Sequence, residues 1–572
     1  MNKWILKPKP NKKIKNQLKN YSQFIQTLLF HRNITTSQKA EEFLSFQYEK
    51  NLHNPQKLSG MKKAVNRIKR GIDKKENIAI YGDYDADGVT ATTILNQFFL
   101  QVGVKPLIYI PDRVKEGYGL NKQAGRYLKK KNIDLVITVD TGVRNLEEIK
   151  AFNKLNIDVV VTDHHAPPSK LPKAKAIINP HLDKRYPCQE LSGAGVAFKL
   201  IQGLIKKLNS NKFDKNFEKW LLDLVAIGTI ADLVPLYGEN RILTKYGLII
   251  LKNTKRLGLK ALMDCAQLNY KEKSITSEDV GYVIGPRINA SGRMDHANDA
   301  FMLLNENNKT KARKMAQKLE AKNKNRQNST RKIFEQVEKK DFSKEKIIID
   351  GSKQWTLGLV GLVAGRLCDK YNKPTLIYVE EKNQIRGSAR SIKEFNIINT
   401  LDRLSYLLLE YGGHKQAAGF TVSKKNFPKF KKAVLEIAQK EIDPKDLTAK
   451  IQIDYKVGID EINRNLLEDI KALEPFGMGN PHPVFLIKNM EVKSIKCVGN
   501  GQKHLKITIC KNKKNSVINY FQCIGFNLSD FSKKIKVADK IDIVFNLYLN
   551  NFNGTENLEF KIIDLRKSND SK

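Results

Sequence analysis

The chain has 572 residues, too many for a single hydrophobic core, so three or four domains are expected. It is 41% hydrophobic and 28% charged, which excludes an intrinsically disordered chain. Its 101 Lys+Arg against 60 Asp+Glu leave a formal net charge of +41, favouring a polyanionic partner, either nucleic acid or an anionic membrane surface. Lys and Asn are abundant throughout, so coding bias takes a share of this excess and the charge cannot carry a function alone. Six scattered cysteines with no CxxC pair argue against a zinc finger or disulfide framework and fit a reduced, cytoplasmic setting. The N-terminus, MNKWILKPKPNKKIKNQ, lacks the apolar core of a signal peptide. No stretch approaches the roughly 18 apolar residues that span a bilayer, so no membrane partner is expected.

Residues 1–55 read as a helical, polar, peripheral segment. From Ile78 the pattern becomes strand–helix–strand, with strands expected at 78–82, 107–110, 134–139, 158–162 and 175–179 and helices such as 90–102 and 144–155 between them. Short β-branched strands alternating with helices of this length imply an α/β fold with a parallel sheet covered on both faces. This first domain spans 56–304, with helices dominating 193–265. Residues 305–340 have few breakers and many helix formers, and read as a long connecting helix whose charges ordinarily mark a solvated face. A second α/β domain is expected over 341–448, with strands near 346–350, 375–379 and 384–388 and a helix near 357–370. Residues 449–566 carry short alternating runs such as KHLKITIC and KIDIVFNLYL, the signature of a small Greek-key, OB-like β-barrel.

The chemistry collects at strand ends. Asp83, Asp85 and Asp87 follow IAIY in GDYDADG, Asp140 ends LVITVDTG, and Asp163-His164-His165 ends VVVTDHH. In an open α/β sheet, ligands gather at the carboxyl ends of parallel strands. Three such ends rich in Asp and His make a place for hard divalent cations, which suit hydroxide attack on a phosphodiester. If the GDYDADG loop is extended, its alternating carboxylates converge on one side, and adjacent carboxylates repel unless a cation sits among them. Gly82 and Gly88 let the backbone turn and begin a helix. An EF-hand calcium loop is rejected: it needs Glu at position twelve, where Ile94 stands, and a helix where this chain has a strand. In the DHH triplet one His is expected on metal while the other contacts substrate or a carboxylate. Asp232, in the apolar GTIADLVPL, is either a helix cap or a buried carboxylate partnered by metal.

GDYDADG, VDTG and TDHH, in that order, resemble the motifs of the DHH phosphoesterase superfamily. PDRVKEGYGLN, LSGAGVAFKL, LDLVAIGTIADLVPL, GPRINASGRM, RGSARS, YGGHKQAAGF and LEPFGMGNPHPVF bring the chain closest to the branch that degrades single-stranded DNA. The likeness runs from about residue 50 to the C-terminus. It implies a two-metal nuclease using Mn²⁺ or Mg²⁺ that releases mononucleotides from the 5′ end of single-stranded DNA in repair and recombination. A single-strand-binding protein and a helicase are the further partners such a role suggests. By motif position, Asp83, Asp85, Asp87, Asp140, His164 and Asp232 would be metal ligands. Asp140 would bridge, and His165 would sit beside the metals as ligand or substrate contact. Many superfamily members begin the first motif with His and this chain does not, which leaves Asp83 the least secure ligand.

Metals do not select single strands. Ser388 and Arg390 alternate in RGSARS and can share one phosphate. Gly412, Gly413 and His414 in GGHKQAAG read as a glycine-rich loop that a backbone phosphate can approach. By resemblance, Arg113 and Arg293 are further phosphate contacts, and the second α/β unit is the DHH-associated domain across a cleft. Tyr520, Phe521, Phe526 and Tyr548 are aromatic candidates for stacking bases on the barrel. Aromatics at strand spacing are more often core. Two other readings stand beside this one. The first is a DHH-type phosphodiesterase acting on short oligonucleotides, cyclic dinucleotides or pyrophosphate, against which the C-terminal barrel argues. The second is a non-enzymatic single-strand scaffold, against which the full set of acidic positions argues.

Overall fold

The computed structural model describes residues 2–209, 213–214, 216–511, 520–552 and 555–568. They form two compact units, one of Tyr48–Leu447 and one combining Met1–Gln47 with Thr448–Lys572.

In the larger unit, the first lobe is built on a five-stranded parallel sheet. Its order across the sheet is Leu107–Tyr109, Ile78–Tyr81, Leu135–Val139, Asp158–Thr162 and Ala176–Ile178. The central strands are buried on both faces, as the runs IAIY and LVITV require. The helix Ala86–Gln101 is apolar nearly all round and almost wholly buried. Its packing partners include Gly193–Leu208 and Leu222–Ala231. Thr90, Thr92 and Thr93 survive in it because each hydroxyl donates to a carbonyl one turn back, at 2.7–2.8 Å.

The connecting helix Lys309–Glu338 starts on an Asn308 cap. At 30 residues it is about 45 Å long. It is not solvated all round. Ala312, Ala316, Leu319, Asn323, Arg326, Thr330, Ile333 and Val337, spaced alternately by four and three, form one buried stripe. The second lobe follows as a mixed sheet in the order Leu408–His414, Ala417–Ser423, Gln384–Arg390, Thr375–Glu380, Ile348–Ser352.

In the smaller unit, Phe485–Val498, His504–Cys510, Tyr520–Gly525, Thr555–Lys567 and Lys540–Phe552 pair in turn, and the last pairs back onto the first. This closes a five-stranded barrel of OB type. The peripheral reading of the N-terminus is corrected here. Lys3–Leu6 is a strand, paired in parallel with Lys450–Ile453. Leu18, Phe24, Ile25, Leu28, Leu29, Ala40 and Phe43 are buried in the barrel's own core. Each apolar stripe is short and diluted by Lys, Asn and Gln, which hides it in the sequence.

A buried carboxylate fastens this segment. Asp454 Oδ1 accepts from Lys7 Nζ at 2.8 Å and His31 Nδ1 at 3.1 Å, and its Oδ2 accepts from the Val484 N–H at 3.0 Å. Burial alone would raise its pKa, but these three donors outweigh it and hold Asp454 at about 2. The depressed pKa means that the stabilisation is complete above the unfolded value of about 4 and is lost as pH falls through about 2. Asp454→Ala should cost this unit about 3 kcal/mol, read as faster amide exchange over residues 3–44. Unchanged protection at neutral pH would remove Asp454 from this role.

Candidate metal centre

Three strand ends and three helix ends converge. After Ile78–Tyr81 the chain makes a tight turn through Gly82 and Asp83, where a Cβ on Gly82 would lie 2.0 Å from Thr92 Oγ1. Gly88 is equally constrained, because a Cβ there would meet Asp83 Cβ at 2.7 Å. Asp85 caps Ala86–Gln101, its Oδ1 accepting from the Gly88 N–H at 3.0 Å. Asp87 therefore lies in the first helical turn, which corrects the extended-loop reading of GDYDADG. A helix start, not strand alternation, aims these carboxylates.

Asp87 is held by a second helix. Its two oxygens accept from the N–H groups of Gly193 (2.6 Å) and Ala194 (2.9 Å) at the start of Gly193–Leu208. Both flanking glycines are required by space. A Cβ on Gly193 would fall 2.6 Å from the Asp140 side chain, and one on Gly228 would fall 2.3 Å from Asp87 Oδ1. Asp140 leaves its strand in the left-handed region, at φ 61°, which Asp and Asn tolerate better than other side chains. Asp232 ends the helix Leu222–Ala231, so the cap and the site carboxylate are the same residue.

His164 is the hub. Its Nε2 lies 3.0 Å from Asp140 Oδ1, 3.5 Å from Asp232 Oδ2 and 4.0 Å from Asp87 Oδ2. Three groups of potential ligand atoms each fall within 4.8 Å: Asp140, His164 and His165; Asp87, His164 and Asp232; and Asp83, Asp85 and Asp140. Asp83 Oδ1, Asp140 Oδ1 and His164 Nε2 are buried without a hydrogen-bond partner. Desolvation first and mutual repulsion second push Asp83 and Asp140 well above the carboxylate range, Asp87 to about 7 and Asp232 to about 9. Burial, with the neighbouring His165, lowers His164 to about 3, which keeps its imidazole neutral and its lone pair available. Buried acceptors without donors, around a neutral imidazole, are what a hard cation fits.

Two residues that set this geometry, Tyr118 and Asn289, escape sequence reasoning, which names Asp163 in the strand-end cluster but gives it no role. Asp163 accepts from the N–H groups of Val143, His164 and His165 and holds the His165 ring at 2.8 Å, so it positions the imidazoles. Burial would lower the His165 pKa, but this carboxylate raises it instead. Tyr118 Oη donates to the Asp140 carbonyl at 3.2 Å and lies 3.0 Å from His165 Nδ1. Asn289 Oδ1 receives the Ala86 N–H at 2.9 Å. Only Asp163 had a local signal, its place beside two histidines. The other two act across 47 and 203 residues.

Arginines border the centre. Arg113 lies over the Tyr84 ring at 4.8 Å. Desolvation, then repulsion from charges that include Arg113, Arg326 and Arg390, lowers Arg293 to about 9. Arg390 Nη1 donates to Ser388 Oγ at 2.9 Å. Among the described residues none of Arg113, Arg293 and Arg390 has a carboxylate within 4 Å, and Arg293 Nη1 and Arg390 Nη1 donate instead to the Gly358 and Ala389 carbonyls at 3.2 and 2.8 Å. The glycine-rich loop reading is corrected. Gly412, Gly413 and His414 end an exposed edge strand, and a hairpin turns at Lys415–Gln416. Register still aligns them: Ser388, Gly419 and Gly412 form one cross-strand row, and Arg390, Ala417 and His414 the next. His414 thus sits two strands, about 10 Å, from Arg390.

On the barrel, Tyr520 and Phe526 are exposed. Tyr548 stacks on His482 at 4.6 Å, and Lys561 lies over its ring at 5.1 Å. Phe521 faces inward against Phe560, so it is corrected from stacking candidate to core. No helix among the described residues is long and apolar enough to cross a membrane.

Comparison with known proteins agrees with this architecture. Family models match for the DHH family N-terminal domain over 77–229, the DHHA1 domain over 344–440 and the RecJ OB domain over 453–564. The chain is 35% identical to the single-stranded-DNA-specific exonuclease RecJ of Bacillus subtilis, across 98% of this chain and 70% of that protein. It is 32% identical to the Haemophilus influenzae protein of the same name, across 90% and 92%. The crystal structure of Thermus thermophilus RecJ in complex with Mn²⁺ matches with a TM-score of 0.83 at 26% identity, covering 99% of this chain and 80% of that one. With relatives above 30% identity over nearly its whole length, the chain belongs to the RecJ family.

Proposed function

We propose that this protein is a metal-dependent exonuclease specific for single-stranded DNA, working from the 5′ end and releasing mononucleotides. Its relatives are named single-stranded-DNA-specific exonucleases, and RecJ of Thermus thermophilus has been crystallised with Mn²⁺ and with Mg²⁺. The observation that carries the reading is the buried set of acceptors without donors around His164.

Asp83, Asp85, Asp87, Asp140, His164 and Asp232 would hold two divalent ions, with Asp140 and His164 each common to two of the ligand groups. When bound, such ions supply an activated water and neutralise the charge of the phosphodiester. The protein's own part is positional. Gly193 and Ala194 fix Asp87, and the αL turn fixes Asp140. Asp163 raises the His165 pKa against the lowering effect of burial and holds the ring at 2.8 Å, which orients its other ring nitrogen toward a phosphate oxygen. Arg113, Arg293, Ser388 and Arg390 would bind the terminal phosphate and so count off one nucleotide before the scissile bond. Gly412, Gly413 and His414 extend this face along the same sheet. A role in repair and recombination, in the cytoplasm, with a single-strand-binding protein and a helicase supplying opened strands, fits this chemistry.

Asp140→Asn isolates the charge, because Asn also tolerates φ 61°. Cleavage of single-stranded DNA should fall by at least about 10³-fold, with strand binding retained. Without metal the variant should melt above the parent, because one mutually repelling carboxylate is gone. With Mn²⁺ at about 100 times its Kd, the parent should gain about 2.7 kcal/mol and the order should reverse. Retained turnover, or an unchanged order of melting, would contradict the ligand assignment.

Arg390→Ala should raise KM for a 5′-phosphorylated strand by about tenfold and leave a 5′-hydroxyl strand unchanged. Equal losses on both substrates would move Arg390 out of the terminal-phosphate contact.

A further inference from the structure

A cavity of ≈ 460 Å³ opens between the two lobes of the larger unit, lined by Val114–Gly117 of the first lobe and by Gln384, Arg386, Leu409, Glu410 and Thr421 of the second. It does not include the metal centre. It lies on the sheet face that carries Ser388 and Arg390, because Arg386 alternates with them along one strand. Arg386 and Ser388 are two residues, about 7 Å, apart.

Two apolar side chains line this polar cavity while exposed, Val114 at 47% and Leu409 at 57%. Neither follows from its element by default. The pairing shifts between Leu408↔Val422 and Glu410↔Thr421, so Leu409 is the extra residue of a β-bulge. A bulge re-aims a side chain that regular pairing would direct elsewhere. Val114 stands in a loop whose shape is set by Asp112, whose Oδ1 accepts from the N–H groups of Val114 and Lys115 at 2.9 Å. Around the apolar pair stand polar side chains: Gln384 and Arg386, which also reach Glu381 at 2.8 and 3.7 Å, with Glu410 and Thr421. Apolar contacts with a rim of hydrogen-bonding groups match a flat, apolar-faced ligand with polar edges.

We propose that this cavity receives the base of the terminal nucleotide, packed against Leu409 and Val114, while its 5′-phosphate rests on Ser388 and Arg390. The inference builds on the exonuclease reading and adds a base contact to its phosphate contact. Packing against aliphatic side chains, with polar groups of both kinds at the rim, tolerates all four bases, as a processive enzyme needs.

The test uses the full-length protein in EDTA, which prevents cleavage, and a 5′-phosphorylated single strand with 2-aminopurine at its first or its fourth position. Binding should change the emission of the first-position probe at least about twofold, as a stacked base would. Leu409→Ala and Val114→Ala, both at exposed positions, should each return it toward the free value and leave the fourth-position probe as in the parent. With Mn²⁺, an abasic first residue should raise KM about tenfold in the parent, and Leu409→Ala should add nothing to that loss. A strand that is bound and cut while its first-position probe is indifferent to binding, or to both substitutions, overturns the base pocket alone. A strand neither bound nor cut overturns the exonuclease reading with it.

Discussion

The structure of the larger unit turns on one electrostatic constraint. Asp83, Asp87 and Asp140 are buried and Asp232 is partly exposed; they repel one another around a neutral imidazole that lies within 4.0 Å of Asp87, Asp140 and Asp232. Burying like charges together is costly unless protons or cations intervene. The fold spends two helix N-termini, an αL turn and several glycines to hold them there. Gly193 and Gly228 show the cost: any larger residue would collide with Asp140 or Asp87. A folded chain concentrates such strain where function needs it.

The rest of the unit follows from that centre. Parallel strands bring Asp83, Asp140 and His164 to one edge, and the buried helix Ala86–Gln101 is locked beneath them. The connecting helix is held by a stripe of small and apolar residues and carries the chain to a second sheet that presents Ser388 and Arg390. Carboxylates on one side and arginines without a carboxylate partner on the other would suit a phosphodiester held between cations and guanidinium groups.

Much of this was legible in the sequence, because strand ends and motifs are local. IAIYGDYDADG, LVITVDTG and VVVTDHH announce both the strands and the acidic and histidine side chains that cluster at their ends. The parts that were not legible are long-range or geometric. The role of Asp87 needs the N–H groups of Gly193 and Ala194, which lie 106 and 107 residues away. The hairpin at Gly412–Ala417 was mistaken for a loop because glycine marks close approach and turning alike. The N-terminal segment looked peripheral because Phe24, Leu28 and Phe43 lie on short helices, and their partners stand more than 400 residues on. The bulge at Leu409 has no sequence signature.

The central claim is that the buried acidic cluster holds two divalent ions. The most direct measurement is anomalous scattering from crystals grown with Mn²⁺. The account predicts two strong peaks, with Asp140 coordinating both and Asp83, Asp85, Asp87, His164 and Asp232 completing the ligands. A single peak, or peaks away from these side chains, would contradict it.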